Sequence, residues 1–197
     1  MRLKLNLGCG SDFRDGFLNV DKFGDPQLQI DMEEFPWPWE DNSVDEVVLQ
    51  HVLEHLGKDT DTYLNIIKEL YRICCDGAKI YIEVPHPRHD TFLHDPTHVR
   101  AVTPESLGLF SQKLNQEWVE TGASNSLLGV FLNVDFEIEN ANFELDPAWI
   151  QKVQKGEIHQ SDLPHAIRSF NNVVKSTKIN LRVVKPGRFK GEIKTGR

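Results

Sequence analysis

Two glycines, Gly8 and Gly10, follow directly after the first apolar run of the chain. Glycine after a strand lets the backbone turn sharply and lets a ligand lie close to it. In an open α/β sheet, ligands bind beyond the carboxyl ends of the strands, where the strand order reverses. A tight structural turn would also explain two glycines, so the pair alone leaves a ligand site and a simple turn as alternatives.

Two carboxylates stand at the ends of the next two apolar runs. Asp21 ends the second run, eleven residues after Gly10, and can accept two hydrogen bonds from a ribose diol. Asp31 ends the third run, where it can accept a hydrogen bond from an exocyclic amine, with the backbone of Met32 beside it. Each aspartate could instead cap a loop. Three consecutive strand ends that carry two glycines, an aspartate and an aspartate nevertheless predict an adenosine site.

Histidines are concentrated in the middle of the chain, between His51 and His98. The six are His51, His55, His86, His89, His94 and His98. His51 and His55 are four residues apart and would share one face of a helical turn, as metal ligands do. The pattern lacks the leading His-Glu of zinc proteases, so we assign no metal site to this pair.

Residues 86–100 combine histidines, aspartates and two arginines directly after the fifth predicted strand. Histidine titrates near neutrality and can act as a general base, an effect of roughly 10²–10⁴-fold. Arg88 and Arg100 could bind a carboxylate or phosphate in two-pronged fashion. We therefore predict His98 and Arg100 as catalytic residues. A loop with turn-capping side chains and a divalent metal held by His and Asp remain alternatives for this segment.

The elements that must position these residues are short strands and one clear helix. Residues 3–7, 17–20, 28–30, 44–49 and 78–84 have the pattern of strands. Such runs suit strands buried on both faces of a mostly parallel sheet. Apolar residues at helical spacing predict a helix that starts at Asp59 or Thr60 and ends at Gly77. Residues 11–16 are too few for a crossover helix, which predicts a shortened or irregular first connection.

The pattern of apolar and polar residues changes in the last third of the chain. Residues 130–138 and 179–183 alternate apolar and polar side chains, which is typical of an antiparallel edge pair with one wetter face. Helical patterns begin at Thr103 and Asp146, and another covers residues 163–174. The predicted fold class is α/β: a mixed sheet, mostly parallel with an antiparallel C-terminal strand, flanked by helices. We expect a single domain over residues 1–185, with residues 86–175 contributing the acceptor side of the site, and a basic tail over residues 186–197.

The amino-acid composition limits the classes of molecule that this chain is expected to bind. The 30 acidic residues outnumber the 22 basic ones, a net charge of −8, which disfavours binding to nucleic acid and favours a small-molecule acceptor. No apolar run approaches the roughly 20 residues that span a bilayer, so we expect no membrane anchor. Three cysteines, two of them adjacent, form a poor disulfide framework, which predicts a cytoplasmic protein. No pattern indicates an oligomeric state.

Taken in order, these motifs resemble the class I S-adenosylmethionine-dependent methyltransferases, in particular small bacterial members with a shortened first helix. The resemblance covers about residues 3–85 and depends on the ordered combination of its motifs. They are Leu5-Asn6-Leu7-Gly8-Cys9-Gly10, Gly16-Phe17-Leu18-Asn19-Val20-Asp21, Phe35-Pro36-Trp37-Pro38-Trp39 through Asp45, Gln50-His51-Val52-Leu53-Glu54-His55-Leu56 and Arg72-Ile73 through Gly77.

The resemblance implies a Rossmann-like sheet and S-adenosylmethionine as the cofactor. It implies that His51, at the end of the fourth strand, lies nearest the sulfonium, and we predict it as a second catalytic histidine beside His98. Asn6 stands where this family often has an acidic residue, which makes Asp12 a candidate for holding the cofactor's ammonium group. The predicted cofactor-binding residues are Leu7, Gly8, Cys9, Gly10, Asp12, Asp21, Lys22, Asp31, Met32, Leu49, Gln50 and His51.

The function predicted from these residues is methyl transfer from S-adenosylmethionine to an oxygen or nitrogen nucleophile. One alternative is a methyltransferase-like interaction module that binds the cofactor without catalysis. A nicotinamide-dependent oxidoreductase is disfavoured, because Phe13 occupies the third glycine position of the dinucleotide motif. The acidic residue also comes earlier than the roughly 20 residues typical of that motif.

Overall fold

Seven strands form one sheet in a computed structural model that describes residues 2–191. The strands are β1 (Leu3–Leu7), β2 (Leu18–Asp21), β3 (Leu28–Gln29), β4 (Val44–Gln50), β5 (Cys74–Pro85), β6 (Phe136–Leu145) and β7 (Val174–Val183). Their spatial order is β3-β2-β1-β4-β5-β7-β6. Strands β1 to β5 pair in parallel, and β7 is antiparallel to both β5 and β6. The predicted mixed sheet with an antiparallel C-terminal strand is confirmed.

Seven helices connect or flank these strands in the part of the chain that the structure describes. They are α1 (Thr60–Ile73), α2 (Asp90–Leu93), α3 (Pro104–Gly108), α4 (Gln112–Thr121), α5 (Leu128–Phe131), α6 (Pro147–Gln154) and α7 (Leu163–Ser169). Two 3₁₀ turns cover Leu53–His55 and Gln160–Asp162. None of the helices within residues 2–191 is both long and apolar enough to cross a membrane.

The one long helix, α1, starts where the sequence predicts and ends earlier. The Asp59 carboxylate accepts a hydrogen bond from the Thr62 N–H and caps the helix. The helix stops at Ile73, and β5 begins at once with Cys74. Gly77 has a φ of +77° but lies inside β5, where the pairing with β4 shifts register. The predicted helix end at Gly77 is therefore wrong: the glycine marks an irregularity in the strand.

The two faces of the sheet differ in polarity. On one face, apolar residues of β1, β4, β5 and β7 form a core with residues of α1 and α3. The other face carries cross-strand ion pairs such as Lys4–Glu46 at 2.7 Å and Lys178–Glu144 at 2.7 Å. Lys4 is exposed, whereas Val47, Val48 and Leu49 are buried at consecutive positions, so the predicted burial on both faces holds only towards the carboxyl ends of the strands. Alternation within β1 was visible in the sequence but is short.

The connection from β1 to β2, all of which the structure describes, contains turns and no helix. This confirms the predicted irregular connection. Two buried asparagines stabilise it: the Asn6 side-chain amide donates to Asn19 Oδ1 at 2.9 Å and to the Asp12 carbonyl at 2.7 Å. Asn19 Oδ1 also accepts from the Arg14 N–H at 2.8 Å. Buried polar groups need hydrogen-bond partners. In this connection the asparagine network provides those partners, and it fixes the loop without a helix.

The C-terminal third departs from the predicted boundaries. Residues 128–131 form α5, so β6 begins at Phe136 rather than at residue 130. Helix α7 ends at Ser169, and Val174 starts β7 instead of ending the helix. The Arg188 guanidinium donates two hydrogen bonds to the fully buried Asp135 carboxylate, at 2.8 and 2.9 Å, and the Arg188 N–H donates a third at 3.2 Å. The single-domain boundary at residue 185 stays a prediction, and residues 192–197 of the expected tail lie outside the described residues.

Candidate functional site

The glycine turn after β1 leads the chain across the carboxyl edge of the sheet. Gly8 and Gly10 have φ values of +68° and +51°, and the Cys9 N–H donates to the Val20 carbonyl at 3.0 Å. A Cβ added to Gly8 would lie 2.4 Å from a methyl carbon of Val52, whereas one added to Gly10 would meet nothing within 4 Å. Packing inside the protein therefore requires a glycine at position 8, while position 10 borders open space.

The Asp21 carboxylate ties the ends of β1 and β2 together. One oxygen accepts from the Gly10 N–H at 2.8 Å, and the other accepts from the Phe23 N–H at 2.8 Å. A carboxylate has about four lone-pair sites, so both oxygens keep capacity for further donors. Asp21 is half-buried, and its position beside Gly10 agrees with the predicted pairing of these two residues at one site.

Asp31 and Met32 lie at the next strand end. Partial burial opposes ionisation of Asp31, but hydrogen bonds from Lys22 and the Glu33 N–H outweigh it and hold the pKa of Asp31 below its usual range. Met32 is buried, and its carbonyl accepts from the indole N–H of Trp37 at 3.1 Å. A cavity of about 560 Å³ adjoins this strand end, lined in part by Lys22, Ile30, Asp31 and Trp37.

Arg14 links the glycine turn to the end of β4, a contact that the sequence did not predict. Its guanidinium donates to Gln50 Oε1 at 2.5 Å and lies 3.4 Å from the Asp12 carboxylate. Asp12 itself is largely exposed, at 68% of its side chain. The Arg14 Nε is buried, and no described residue accepts a hydrogen bond from it. A lone arginine in a loop gives no sequence signal for this position, because only the fold brings Gln50 beside it.

The last residues of β4, Leu49 and Gln50, are followed directly by His51. Leu49 is buried, whereas His51 leaves the strand with a φ of +54° and a half-exposed side chain. The His51 N–H donates to the Glu83 carbonyl at 2.8 Å, which holds the residue in this uncommon conformation. Its Nδ1 lies 3.5 Å from Glu54 Oε1, and this contact raises the pKa of His51 above its usual value.

A polar cavity of about 170 Å³ brings His51 and His98 together. It is lined by His51, Glu83, Pro85, Thr91, His98, Glu144, Lys175 and Ser176. His98 is mostly buried, and its Nδ1 lies 2.8 Å from the Phe92 carbonyl. The two histidines that the sequence singled out therefore share one cavity next to the end of β4.

Arg100 forms its contacts outside the polar cavity. Its guanidinium stacks on the Tyr63 ring at 4.1 Å from the centroid and donates to the Gly57 carbonyl at 2.8 Å. It is not among the residues that line the polar cavity, so its predicted role as a substrate clamp has no support in this geometry. Another cavity, of about 640 Å³ between α3, α4 and β6, is lined by none of the strand-end residues described above.

Substitution of the two glycines of the turn should lower the free energy of unfolding by different amounts. Gly8→Ala should lower the free energy of unfolding by roughly 2–5 kcal/mol, because the methyl group collides with Val52 and strains a left-handed residue. Gly10→Ala should cost only the backbone strain, roughly 1–2 kcal/mol. Gly122→Ala is a matched control, since that glycine has a φ of +71° and open space. Urea denaturation measures all three, and equal losses for Gly8→Ala and Gly122→Ala would contradict the packing argument.

Comparison with known proteins agrees with this arrangement. Residues 8–82 match a family model described as a methyltransferase domain. The crystal structure of an S-adenosylmethionine-dependent methyltransferase from Archaeoglobus fulgidus superposes with a TM-score of 0.57 at 18% identity, covering 92% of this chain and 86% of that one. No curated protein sequence matches the chain significantly.

Two further solved structures share the fold. The YcgJ protein from Bacillus subtilis has a TM-score of 0.50 at 12% identity, with 96% of this chain and 93% of that chain covered. The [4+2]-cyclase SpnF has a TM-score of 0.50 at 15% identity, with 95% and 75% covered. At such identities the likeness establishes the fold alone, and a cyclase among the relatives shows that this fold supports more than one reaction.

Proposed function

We propose that this chain is a class I S-adenosylmethionine-dependent methyltransferase that transfers the methyl group to an oxygen or nitrogen atom of a small-molecule acceptor. The observation that carries the proposal is the hydrogen bond between the Gly10 N–H and Asp21 at the sheet edge. This hydrogen bond connects the ends of β1 and β2, which are predicted to bind the cofactor. Strand β4 lies next to β1 in the sheet, and His51, directly after β4, lines the polar cavity.

The residues at the sheet edge fit the proposed cofactor. Open space at Gly10 leaves room for a ligand against the backbone, and Asp21 retains lone pairs for the two ribose hydroxyls. Asp31 and the buried Met32 would flank the adenine. Arg14, with its unpartnered Nε, would take the carboxylate of the methionine part, and Asp12 would take its ammonium. Bound there, S-adenosylmethionine supplies a methyl group on a cationic sulfur.

The protein's share of the reaction is placement and proton removal. Placement of two reactants in line can lower a barrier by roughly 7–11 kcal/mol. A hydroxyl acceptor must also lose its proton, and His51 is the residue we propose as base, because its half-exposed ring borders the polar cavity. An amine acceptor would need only to be bound in its neutral form.

The polar cavity supports a small acceptor. Its volume is about 170 Å³, and Glu83, Glu144 and Lys175 on its wall offer both acceptors and a donor for hydrogen bonds. The net charge of −8 opposes binding to a phosphate backbone. We also propose a reducing, cytoplasmic location, which is supported by three cysteines that are all buried and free.

Calorimetric titration tests the proposal at the level of the cofactor. Purified protein should bind S-adenosylmethionine with a micromolar Kd and should not bind nicotinamide dinucleotides. A screen of small hydroxyl and amine compounds with methyl-labelled cofactor should then give labelled product. No binding of S-adenosylmethionine by a folded sample would contradict the proposal. Binding without transfer to any acceptor would favour the non-catalytic interaction module instead.

A further inference from the structure

Behind the polar cavity, Glu54, His55 and His98 converge. One ligand atom from each side chain lies within 4.8 Å of the other two. Glu54 and His55 belong to the 3₁₀ turn after β4, and His98 comes from the segment before α3. The segments are joined because the Glu54 carbonyl accepts from the Val99 N–H at 2.9 Å and from the Arg100 N–H at 3.2 Å. The cluster is therefore fixed by backbone hydrogen bonds.

Hydrogen bonds to Nδ1 determine the proton position on both histidines. The Nδ1 of His98 faces the Phe92 carbonyl, which can only accept, so this nitrogen carries the proton. The Nδ1 of His55 lies 2.9 Å from the Thr97 hydroxyl. That hydroxyl donates to Asp95 at 2.6 Å and so accepts from His55. In the neutral form, both rings consequently leave a lone pair free on Nε2.

The Glu54 carboxylate is the unusual member of the cluster. The residue is 1% exposed, and neither carboxylate oxygen accepts a hydrogen bond from any described residue. The Nδ1 of His51 lies 3.5 Å from Glu54 Oε1. A buried carboxylate without hydrogen bonds is costly unless a cation compensates it. His51 is the one cationic partner that this carboxylate has within 4 Å among the described residues, and at 3.5 Å it makes no hydrogen bond. The two imidazoles of His55 and His98 beside it leave a place for a further positive charge.

We propose that Glu54, His55 and His98 bind a divalent first-row transition metal, with zinc as the representative ion. Two imidazoles and one carboxylate suit Zn²⁺ and its neighbours, whereas Mg²⁺ and Ca²⁺ prefer oxygen ligands. The Phe92 carbonyl behind His98 and the Thr97–Asp95 pair behind His55 orient the ligands, as the outer partners of metal-binding histidines do. The sequence predicted no metal at His51 and His55, and a divalent metal held by His and Asp was one alternative for residues 86–100.

Three protein ligands leave the metal an open position, as in catalytic zinc sites. His98 also lines the polar cavity, so an acceptor oxygen bound there could complete the coordination and lose its proton more easily. In that state the Nε2 lone pair of His98 is engaged, and His51 alone remains as base. This role rests on the proposed methyl transfer, whereas metal binding itself does not.

Metal titration of the chelator-treated full chain tests the site without cofactor or acceptor. Co²⁺ should bind with one-to-one stoichiometry and produce visible d–d absorption that Zn²⁺ removes by competition. His98→Ala and His55→Ala should weaken binding about 100-fold or more. Thr97→Val, an exposed position outside the ligand set, should weaken binding roughly 10–100-fold, because it releases the His55 ring.

The matched control is His94→Ala, which removes an exposed histidine of the same segment and should leave the Kd unchanged. Glu54→Gln should abolish Co²⁺ binding and should retain the circular dichroism spectrum of the wild type. If this buried variant does not fold, the exposed Thr97→Val variant still tests the site. Absence of saturable Co²⁺ binding by folded wild-type protein, or equal binding by wild type and His98→Ala, would overturn the proposal. Neither result would contradict the proposed methyl transfer, because that proposal is tested by titration with S-adenosylmethionine.

Discussion

Asp21→Ala is expected to weaken binding of S-adenosylmethionine by about 100-fold or more. The carboxylate is positioned to accept two ribose hydrogen bonds, and hydrogen bonds to charged groups contribute about 1.5–3 kcal/mol each. Two such bonds correspond to at least about 3 kcal/mol, and each 1.4 kcal/mol is about tenfold in Kd. The variant also frees the Gly10 N–H, whose bond to Asp21 holds the glycine turn in place.

Calorimetry on wild type and variant measures this loss, and thermal unfolding verifies that the variant is folded. Asp25→Ala is the control, because this exposed aspartate follows the same strand and should leave the Kd within about threefold of wild type. Asp21→Asn keeps the shape and one acceptor oxygen, so its loss should be intermediate. An unchanged Kd for Asp21→Ala would remove the residue from the cofactor site.

His51→Asn is expected to slow methyl transfer to a hydroxyl acceptor by roughly 10²–10⁴-fold, the usual contribution of a general base. Asparagine tolerates the left-handed conformation that His51 adopts at a φ of +54°, so the backbone should be preserved. Because the imidazole acts on the acceptor's proton, the Kd for S-adenosylmethionine should change only a few-fold. Single-turnover assays with labelled cofactor separate these two quantities.

The control for this variant is His159→Asn, which changes an exposed histidine on the turn before α7. It should transfer the methyl group at the wild-type rate. If His51→Asn also retained the wild-type single-turnover rate on a hydroxyl acceptor, His51 would not be the base. A large rise in the Kd for the cofactor with an unchanged rate would assign His51 to cofactor binding alone.

Local sequence patterns were sufficient for the first half of the sheet. Apolar runs, a glycine pair and strand-end aspartates depend on residues close in the chain, and so their geometry follows from local physics. The strands β1, β2 and β4 formed within a residue of their predicted bounds. The irregular first connection followed from its length alone, because six residues cannot form a crossover helix.

Boundaries in the second half depended on tertiary contacts. Residues 130–134 alternate like a strand, yet residues 128–131 turn into α5, where Gly129 packs against Phe110 and Asn115. Gly77 looks like a helix end but lies in β5, because β5 pairs with β4 from Cys74 onward. Pairing and packing of distant residues override local preference in such segments.

For the site, the sequence by itself determined which residue types stand at the strand ends, and hence the kind of cofactor. Only the tertiary structure decided which side chains meet. Arg14 reaches Gln50, and Arg100 stacks on Tyr63 instead of facing the cavity. His98 is brought beside Glu54 because the next two residues, Val99 and Arg100, donate backbone hydrogen bonds to the Glu54 carbonyl. These contacts join residues more than thirty positions apart, and one-dimensional spacing carries no information about such distances, because the path of the folded chain sets them.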